Sequence, residues 1–173
     1  MRVLALCGSL RRVSMNAALL RATARLAPAQ LRVDIFADLG GLPLFNPDLE
    51  AHMPTAVRAL HAAVAASDAL LIASPEYAHG VTGVLKNALD WLVSFEAFVD
   101  KRVAIFNASP GSRHADASLR EILTTMSADL VTGACLTLPL RGLNLTEQQM
   151  FESQHAAAIR QALLRLTSRE QRT

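Results

Sequence analysis

The amino-acid sequence predicts an α/β protein in which a five-stranded parallel sheet lies between two layers of helices. Five segments of strand length are apolar at nearly every position, as in strands that are buried on both faces of a parallel sheet. Segments with the residue spacing of amphipathic helices lie between them. The order is therefore strand then helix, repeated five times, and right-handed crossovers then require a doubly wound, three-layer sheet.

The predicted elements follow from these patterns in chain order. The strands are predicted at Arg2 to Cys7, Leu31 to Phe36, Ala69 to Ser74, Val103 to Ala108 and Ala134 to Leu138. Helical spacing covers Ala17 to Ala27, Val57 to Val64 and Val81 to Leu92, and two more helices are predicted at about Ala115 to Leu130 and at Thr146 to Thr167. The longest irregular segment, Gly40 to Asp48, is predicted to be an ordered loop near the carboxyl edge of the sheet.

Composition narrows the class of protein further. The chain has 173 residues and 51% hydrophobic residues, which suits one domain over residues 1–173 with an aliphatic core. The formal net charge is +2, and the basic residues are scattered, so we expect neither nucleic acid nor another polyanion as a partner.

Cysteine usage and hydropathy predict a cytoplasmic location. Cys7 and Cys135 lie far apart in apolar runs, which is typical of small buried core residues and not of a disulfide framework. The apolar run at the N-terminus is too short for a signal-peptide core, and Arg11 and Arg12 follow it. We expect no membrane span, because no segment is both long enough and free of charge.

The first candidate site follows the first predicted strand, at Gly8 to Asn16. A hydroxyl-rich loop at a helix N-terminus favours an anion, because unpaired backbone N–H groups and the positive end of the helix dipole meet there. Ser9, Ser14 and Asn16 add neutral hydrogen bonds, and Arg11 adds a charge. The alternative is that Ser14 or Asn16 only caps the helix. The loop lacks the spaced glycines of a dinucleotide site and the Gly-Lys-Ser/Thr of a P-loop, so we expect a phosphate monoester.

The second candidate site follows the third predicted strand, at Ser74 to Gly80. Pro75 stiffens this turn, and Tyr77 offers a ring to a planar heterocycle with polar edges. Glu76 has two possible roles: it is a general base, or it is a structural charge at the start of a helix. We favour the structural role. None of the five histidines has metal-ligand spacing to another His or Cys, so no metal site is predicted at His79 or elsewhere.

A third small-residue loop, Ala108 to Arg113, follows the fourth predicted strand, and all three loops are expected at the same edge of the sheet. The helix after the second loop contains Lys86 and Asp90, which are predicted to form a surface pair. Because aromatic residues are scarce, the grouping of Trp91 with Phe95 and Phe98 is interpreted as a subunit interface, and a homodimer or homotetramer is predicted.

The three loops and the helix after the second one resemble the NADPH-dependent FMN reductases, which include bacterial quinone and chromate reductases and certain azoreductases. The resemblance covers most of the chain. It depends on the order and spacing of Gly8-Ser9-Leu10-Arg11 with Ser14 and Asn16, of Ser74-Pro75-Glu76-Tyr77 with Gly80, and of Gly83 to Trp91. The stretch Leu42 to Asn46 is also similar to the family's segment near the flavin ring.

The resemblance implies a flavodoxin-like fold with strand order 2-1-3-4-5, bound FMN, and NADPH or NADH as co-substrate. It places the FMN phosphate on the first loop, the isoalloxazine against the second, and the polar edge of the ring at the third. The implied cofactor-binding residues are Ser9, Leu10, Arg11, Ser14, Met15, Asn16, Pro75, Glu76, Tyr77, Ala78, Ser109 and Gly111.

Two positions depart from the family's pattern. The family commonly has Asn where this chain has Ala78, and it often has a second glycine pair where Ser112, Arg113 and His114 stand here. Both departures lie on the ring side of the implied site. Arg113 or Arg12 is a candidate for the phosphate of NADPH, on the grounds of charge and location.

The function implied is an oxidoreductase that passes a hydride from NAD(P)H to FMN and then reduces a quinone, azo compound, chromate or free flavin. No residue is predicted to be an indispensable acid or base. Three alternatives stay open at this point: a non-catalytic flavodoxin-type electron carrier, a reductase that supplies free reduced FMN to a monooxygenase, and a domain that binds another phosphorylated small molecule.

Overall fold

The computed structural model describes residues 1–140, 142–143 and 145–168. Within these residues the strands are β1 (Arg2–Cys7), β2 (Arg32–Ile35), β3 (Ala69–Ala73), β4 (Glu76–Tyr77), β5 (Gly80–Val81), β6 (Arg102–Asn107), β7 (Asp129–Leu130) and β8 (Leu136–Thr137). The central sheet has the order β2-β1-β3-β6, and β7 and β8 both pair with β6. Every pairing in that sheet is parallel, so the predicted fold class and strand order are confirmed.

The helices cover both faces of this sheet. They are α1 (Met15–Leu26), α2 (Thr55–Ala65), α3 (Gly83–Asp90), α4 (Arg113–Thr125), α5 (Glu147–Phe151) and α6 (Ala156–Thr167). Buried residues of α1 and α6 share one hydrophobic cluster, and those of α2, α3 and α4 share the other. No helix in the described ranges is long and apolar enough to cross a membrane.

Alternation along each strand divides the core between the two faces. In β3, Leu71 packs toward α1 and α6, whereas Leu70 and Ile72 pack toward α2, α3 and α4. All three are fully buried, which explains why the strand is apolar at every position. Alanines such as Ala5 and Ala104 occupy the α1 side, and their small side chains allow these helices to lie close to the sheet.

The predicted fifth strand and the helix before it differ from the structure. The helix ends at Thr125, not at Leu130, because Ser127 adopts a left-handed conformation with φ 59°. The strand is divided into β7 and β8 by a 3₁₀ turn at Thr132–Ala134. The predicted C-terminal helix is likewise divided into α5 and α6, and the Ser153 hydroxyl accepts a hydrogen bond from the His155 N–H at the break.

Helix α3 and Trp91, the residue that follows it, hold in place the segment Gly40 to Asp48, which the sequence predicts to be an ordered loop. The Trp91 indole N–H donates to the Pro43 carbonyl at 2.8 Å, and the Asn87 carboxamide accepts from the Phe45 N–H at 2.8 Å. Trp91 and Phe98 are each only 1% exposed, so their interpretation as a subunit interface is wrong: they fill the core of this chain. The homodimer or homotetramer stays a prediction, whereas the Lys86–Asp90 pair is confirmed.

The short hairpin β4–β5 stands at the carboxyl end of β3. Its two-residue turn consists of Ala78 and His79, which have φ values of 48° and 59°. Two consecutive positive φ values define the turn type that matches strand twist and that favours Asn and Gly. Because Ala and His carry a Cβ that crowds the left-handed conformation, this turn is strained.

We expect Ala78→Asn to raise the free energy of unfolding by about 1 kcal/mol, because Asn adopts left-handed backbone conformations more readily than Ala. Urea unfolding followed by circular dichroism measures this change. The matched control is Ala37→Asn, at an exposed turn residue without a positive φ, and it should bring no gain. An unchanged midpoint for Ala78→Asn would contradict the assignment of strain to this turn.

Candidate cofactor-binding site

One cavity of about 810 Å³ lies at the carboxyl edge of the sheet. The loops that follow β1, β3 and β6 all contribute to its lining. Strand β1 pairs with β2 on one side and with β3 on the other, so the cavity lies where the strand order reverses. Its volume falls within the roughly 300 to 1,000 Å³ that is usual for small-molecule sites.

The first loop brings most of the predicted phosphate-binding residues to this cavity. Five of them contribute to the lining: Ser9, Arg11, Ser14, Met15 and Asn16. Ser14 is the N-cap of α1, and its hydroxyl oxygen accepts from the Ala17 N–H at 3.2 Å. The capping interpretation is therefore correct for Ser14, and the N-terminus of α1 faces the same cavity.

Leu10 is the predicted residue that the structure sets apart from the others. Its side chain does not line the cavity but lies against Gly40 in the segment after β2. A Cβ added to Gly40 would stand 2.9 Å from a Leu10 methyl group. The side chain of Leu10 thus joins the first loop to the 3₁₀ turn at Leu39–Gly41.

The Oδ1 atom of Asn16 is the buried polar atom of the cavity that stands out among the described residues. Asn16 is 7% exposed, and its Oδ1 atom is buried with no hydrogen bond among the described residues. An unsatisfied buried polar atom costs about 1 to 3 kcal/mol, and such atoms are rare in folded proteins. The oxygen and nitrogen of a carboxamide exchange places by a half-turn of the group, so Asn16 is equipped to donate to or accept from a ligand in the cavity.

Gly8 allows the first and second loops to touch. Its N–H donates to the Ala73 carbonyl at 2.8 Å, which extends the β1–β3 pairing by one bond. A Cβ at Gly8 would stand 2.2 Å from the Ser74 hydroxyl oxygen and 2.9 Å from that of Thr82. A glycine is therefore required here for close approach.

The second loop contributes Pro75, Glu76, Tyr77 and Ala78 to the cavity lining, as predicted. The Glu76 carboxylate accepts a hydrogen bond from the Ala115 N–H at 2.9 Å, in the first turn of α4. Ser112, the N-cap of that helix, makes no side-chain cap of its own. Glu76 is thus a charge at a helix start, which supports the structural interpretation, although the helix is α4 and not the one that follows the loop.

The third loop contributes Ser109 and Gly111 to the lining, and its shape depends on Asn107. The Asn107 carboxamide accepts from the Ser109 N–H at 2.9 Å and donates to the Ser112 carbonyl at 3.4 Å. Sequence reasoning did not select Asn107, although a polar residue at the end of a buried strand was the available signal. The carboxamide oxygen and nitrogen of Asn107 both form hydrogen bonds, whereas the Oδ1 atom of Asn16 forms none among the described residues.

Several lining residues were not predicted from the sequence. Those from the first loop and helix are Val13, Ala18 and Arg21, and those from the C-terminal part are Leu140, Gly142, Leu145, Thr146 and Glu147. Arg12, which the sequence names as a candidate for the NADPH phosphate, also lines the cavity. Thr146 and Glu147 reach the cavity where α5 packs on α1 and Arg21 and Arg25 both pair with Glu147, whereas the Leu140 N–H donates to the Ala108 carbonyl of the third loop at 3.2 Å. No local pattern in residues 140–147 indicates this contact. By contrast, residues 42–46, which resemble the family's segment near the flavin ring, do not line the cavity.

The charge balance of the cavity favours an anion. Arg11 and Arg12 are exposed at its lining, and neither forms an ion pair within the described residues. The acidic Glu147 is already paired with arginines, and Glu76 caps α4. Burial raises the pKa of the Cys7 thiol beside the first loop, so this group is neutral at pH 7 and does not repel an anion.

A doubly wound sheet with an anion-favouring cavity at its switch point is typical of α/β proteins that bind a nucleotide or a flavin phosphate. The chain belongs to the NADPH-dependent FMN reductase family, whose sequence model matches residues 1–140. This family consists of oxidoreductases that use FMN as cofactor and NAD(P)H as electron donor. The resemblance inferred from the loops is therefore confirmed.

Individual relatives agree with this membership. The chain is 36% identical to a 2-hydroxy-1,4-benzoquinone reductase from Burkholderia sp, over 85% of this chain and 76% of that protein. It is 42% identical to an NAD(P)H-dependent FMN reductase from Pseudomonas aeruginosa, over 64% of this chain and 60% of that longer protein. In structure it is similar to the NAD(P)H:(acceptor) oxidoreductase FerB from Paracoccus denitrificans, with a TM-score of 0.74, 23% identity, and coverage of 95% and 96% of the two chains.

The unpartnered oxygen of Asn16 gives a stability prediction with a matched control. In protein free of FMN, Asn16→Leu should raise the free energy of unfolding by about 1 kcal/mol, because an unsatisfied buried acceptor is replaced by an apolar group of similar size. Asn107 is 8% exposed and fully hydrogen-bonded, so Asn107→Leu should lower it by about 1 to 3 kcal/mol. Equal losses in urea unfolding would contradict the difference drawn between the two asparagines.

The role of Glu76 is tested by comparing Glu76→Ala with Glu76→Gln. The alanine variant loses the acceptor for the Ala115 N–H, so we expect a loss of about 1 kcal/mol in stability. The glutamine variant keeps an acceptor oxygen and should lose less. If Glu76 were a general base, glutamine would abolish turnover, so a kcat within about threefold of wild type supports the structural role.

Proposed function

We propose that this chain is an FMN-dependent NAD(P)H reductase whose acceptor is a quinone. The observation that carries the proposal is the buried, unpartnered Asn16 oxygen in a cavity at the N-terminus of α1, beside two exposed arginines. Among known proteins, the support for a quinone comes from the relative that is named a 2-hydroxy-1,4-benzoquinone reductase.

The residues present fit FMN. A phosphate monoester needs hydrogen-bond donors and a positive potential, and the first loop offers the α1 N-terminus, Ser9, Arg11 and Asn16. A flat polar ring needs a stiff wall with backbone groups, and the second loop offers Pro75 to Ala78, held in place by the Glu76 contact with α4. Ser109 and Gly111 also line the cavity, in a loop shaped by Asn107.

When bound, FMN supplies the ability to take a hydride from NAD(P)H and to pass electrons on. The overall reaction balances as NAD(P)H plus a quinone plus one proton giving NAD(P)⁺ plus a hydroquinone. The protein positions the reactants and leaves one side of the site open to both of them in turn. No side chain of the cavity is assigned as a proton donor, because quinone oxygens exchange protons with water.

The proposal is tested by titrating the FMN-free protein with FMN and following the visible spectrum and the fluorescence of the flavin. Wild type should bind FMN stoichiometrically, and anaerobic NADPH or NADH should bleach the bound flavin until a quinone restores its colour. Arg11→Gln and Asn16→Leu should each raise the Kd for FMN at least tenfold, which corresponds to about 1.4 kcal/mol. The control is Arg160→Gln, which removes the same charge at an exposed position of α6.

Protein that takes up no FMN would contradict the proposal outright. Flavin that binds but is not bleached by either nicotinamide would favour the electron-carrier alternative. Rapid loss of reduced flavin from the protein during turnover would instead favour a reductase that supplies free reduced FMN. Turnover with quinones at a rate that does not depend on bound FMN would remove the cofactor from the reaction.

A further inference from the structure

Two imidazole rings stack on each other at the edge of the cavity. The rings of His79 and His114 have centroids 4.3 Å apart and planes inclined by 20°. His79 belongs to the turn of the β4–β5 hairpin and lines the cavity, whereas His114 belongs to the first turn of α4. Both residues are exposed, and His79 is the member of the pair that lines the cavity.

The stack is not the sole contact between the hairpin and α4. The Glu76 carboxylate already bonds the Ala115 N–H at 2.9 Å, and this contact does not involve either ring. His79 also occupies a left-handed conformation with φ 59°, which is unfavourable for a residue with a Cβ. Strained conformations concentrate at functional sites, and His114 lies in one of the two segments where this chain departs from the family's pattern.

Positive charge accompanies the stacked pair. Arg113 stands between Ser112, which lines the cavity, and His114, and it is exposed and forms no ion pair within the described residues. The acidic side chains of the same two segments, Glu76 and Asp116, have other partners. Asp116 pairs with Arg120 at 2.7 Å, and Glu76 accepts from the backbone of α4.

We propose that His79, His114 and Arg113 form the acceptor subsite and favour planar acceptors that carry a negative charge, such as a quinone bearing an ionised hydroxyl, carboxylate or sulfonate. The proposal rests on the proposed function, and it adds the charge and shape of the preferred acceptor. A flat ring stacks on the imidazole of His79, and the guanidinium of Arg113 pairs with the anionic substituent. The phosphate-binding arginines belong to the first loop, so they remain available to the cofactor.

The kinetic test uses the FMN-loaded protein and two acceptors that share one ring system, 1,4-naphthoquinone and 1,4-naphthoquinone-2-sulfonate. Arg113→Gln should lower the ratio of kcat/KM for the sulfonate to kcat/KM for the neutral quinone at least fivefold. Comparing ratios between variants cancels the different reduction potentials of the two quinones. Arg160→Gln removes an exposed arginine from α6 and should leave the ratio unchanged.

The histidines are tested separately from the charge. His79→Leu should raise KM for both quinones severalfold, whereas His79→Phe keeps a flat ring and should raise it less. His114→Leu should act in the same direction as His79→Leu, and the double leucine variant should show less than the product of the two single effects, because the rings act as one stacked unit.

A binding measurement removes the dependence on turnover. Naphthalene-2-sulfonate carries the same charge but no reducible group, and naphthalene-2-sulfonamide is its neutral counterpart. Calorimetry on the FMN-loaded protein should show tighter binding of the sulfonate, and Arg113→Gln should abolish that preference. Because FMN then occupies the first loop, the sulfonate reports on the rim, which consists of His79, His114 and Arg113, and not on the phosphate site.

Three outcomes would overturn the inference. An unchanged ratio and unchanged sulfonate binding in Arg113→Gln would show that the rim does not select charge. A fall in kcat/KM for NADPH, with acceptor ratios unchanged, would assign the rim to the donor. Histidine variants that lose stability while every KM stays constant would reduce the pair to a structural contact. Failure to bind FMN would overturn the proposed function as well, whereas normal bleaching by NADPH with an unchanged ratio overturns this inference alone.

Discussion

The close approach of Gly8 to the end of β3 is the constraint on which the site depends. The Gly8 N–H bonds the Ala73 carbonyl, and the Ser74 and Thr82 hydroxyls occupy the space that a Cβ at Gly8 would need. Because of this contact, the loop that leads to α1 and the loop that leads to the β4–β5 hairpin begin side by side. A cavity with a helix N-terminus on one side and a stiff turn on the other follows directly from that contact.

Two polar contacts then position the other loops at the carboxyl edge of the sheet. Glu76 joins the hairpin to α4, and Asn107 shapes the loop that precedes the same helix. Neither contact requires a water or a ligand, so both walls of the cavity are set by the chain itself. A preformed site reduces the entropy that a bound cofactor has to overcome. Asn16 is the exception, since its buried oxygen has no partner among the described residues.

Exposed arginines occur in two of the loops at this edge of the sheet. The first loop combines Arg11 and Arg12 with the N-terminus of α1, which suits a phosphate. His79 lines the cavity at the second loop and stacks on His114, which belongs with Arg113 to a segment that differs from the family's usual pattern. Family membership accounts for the cofactor, and we propose that Arg113 and the two histidines select the acceptor. The arginines of the first loop and the group formed by Arg113 and the histidines are carried by different loops. Substitutions in one group can therefore occur without disturbing the other.

The sequence by itself determined the parallel sheet, its layer order and the three loops, because burial on both faces and small-residue loops before helices are local patterns. It did not determine the ends of elements in the last third of the chain: Met126, Ala128 and Leu130 continue an apolar spacing that hides the left-handed Ser127. Only the tertiary structure decided that Trp91 fills a core and that His79 meets His114. Those contacts join residues distant in the chain, and no local pattern records which distant side chain will meet another.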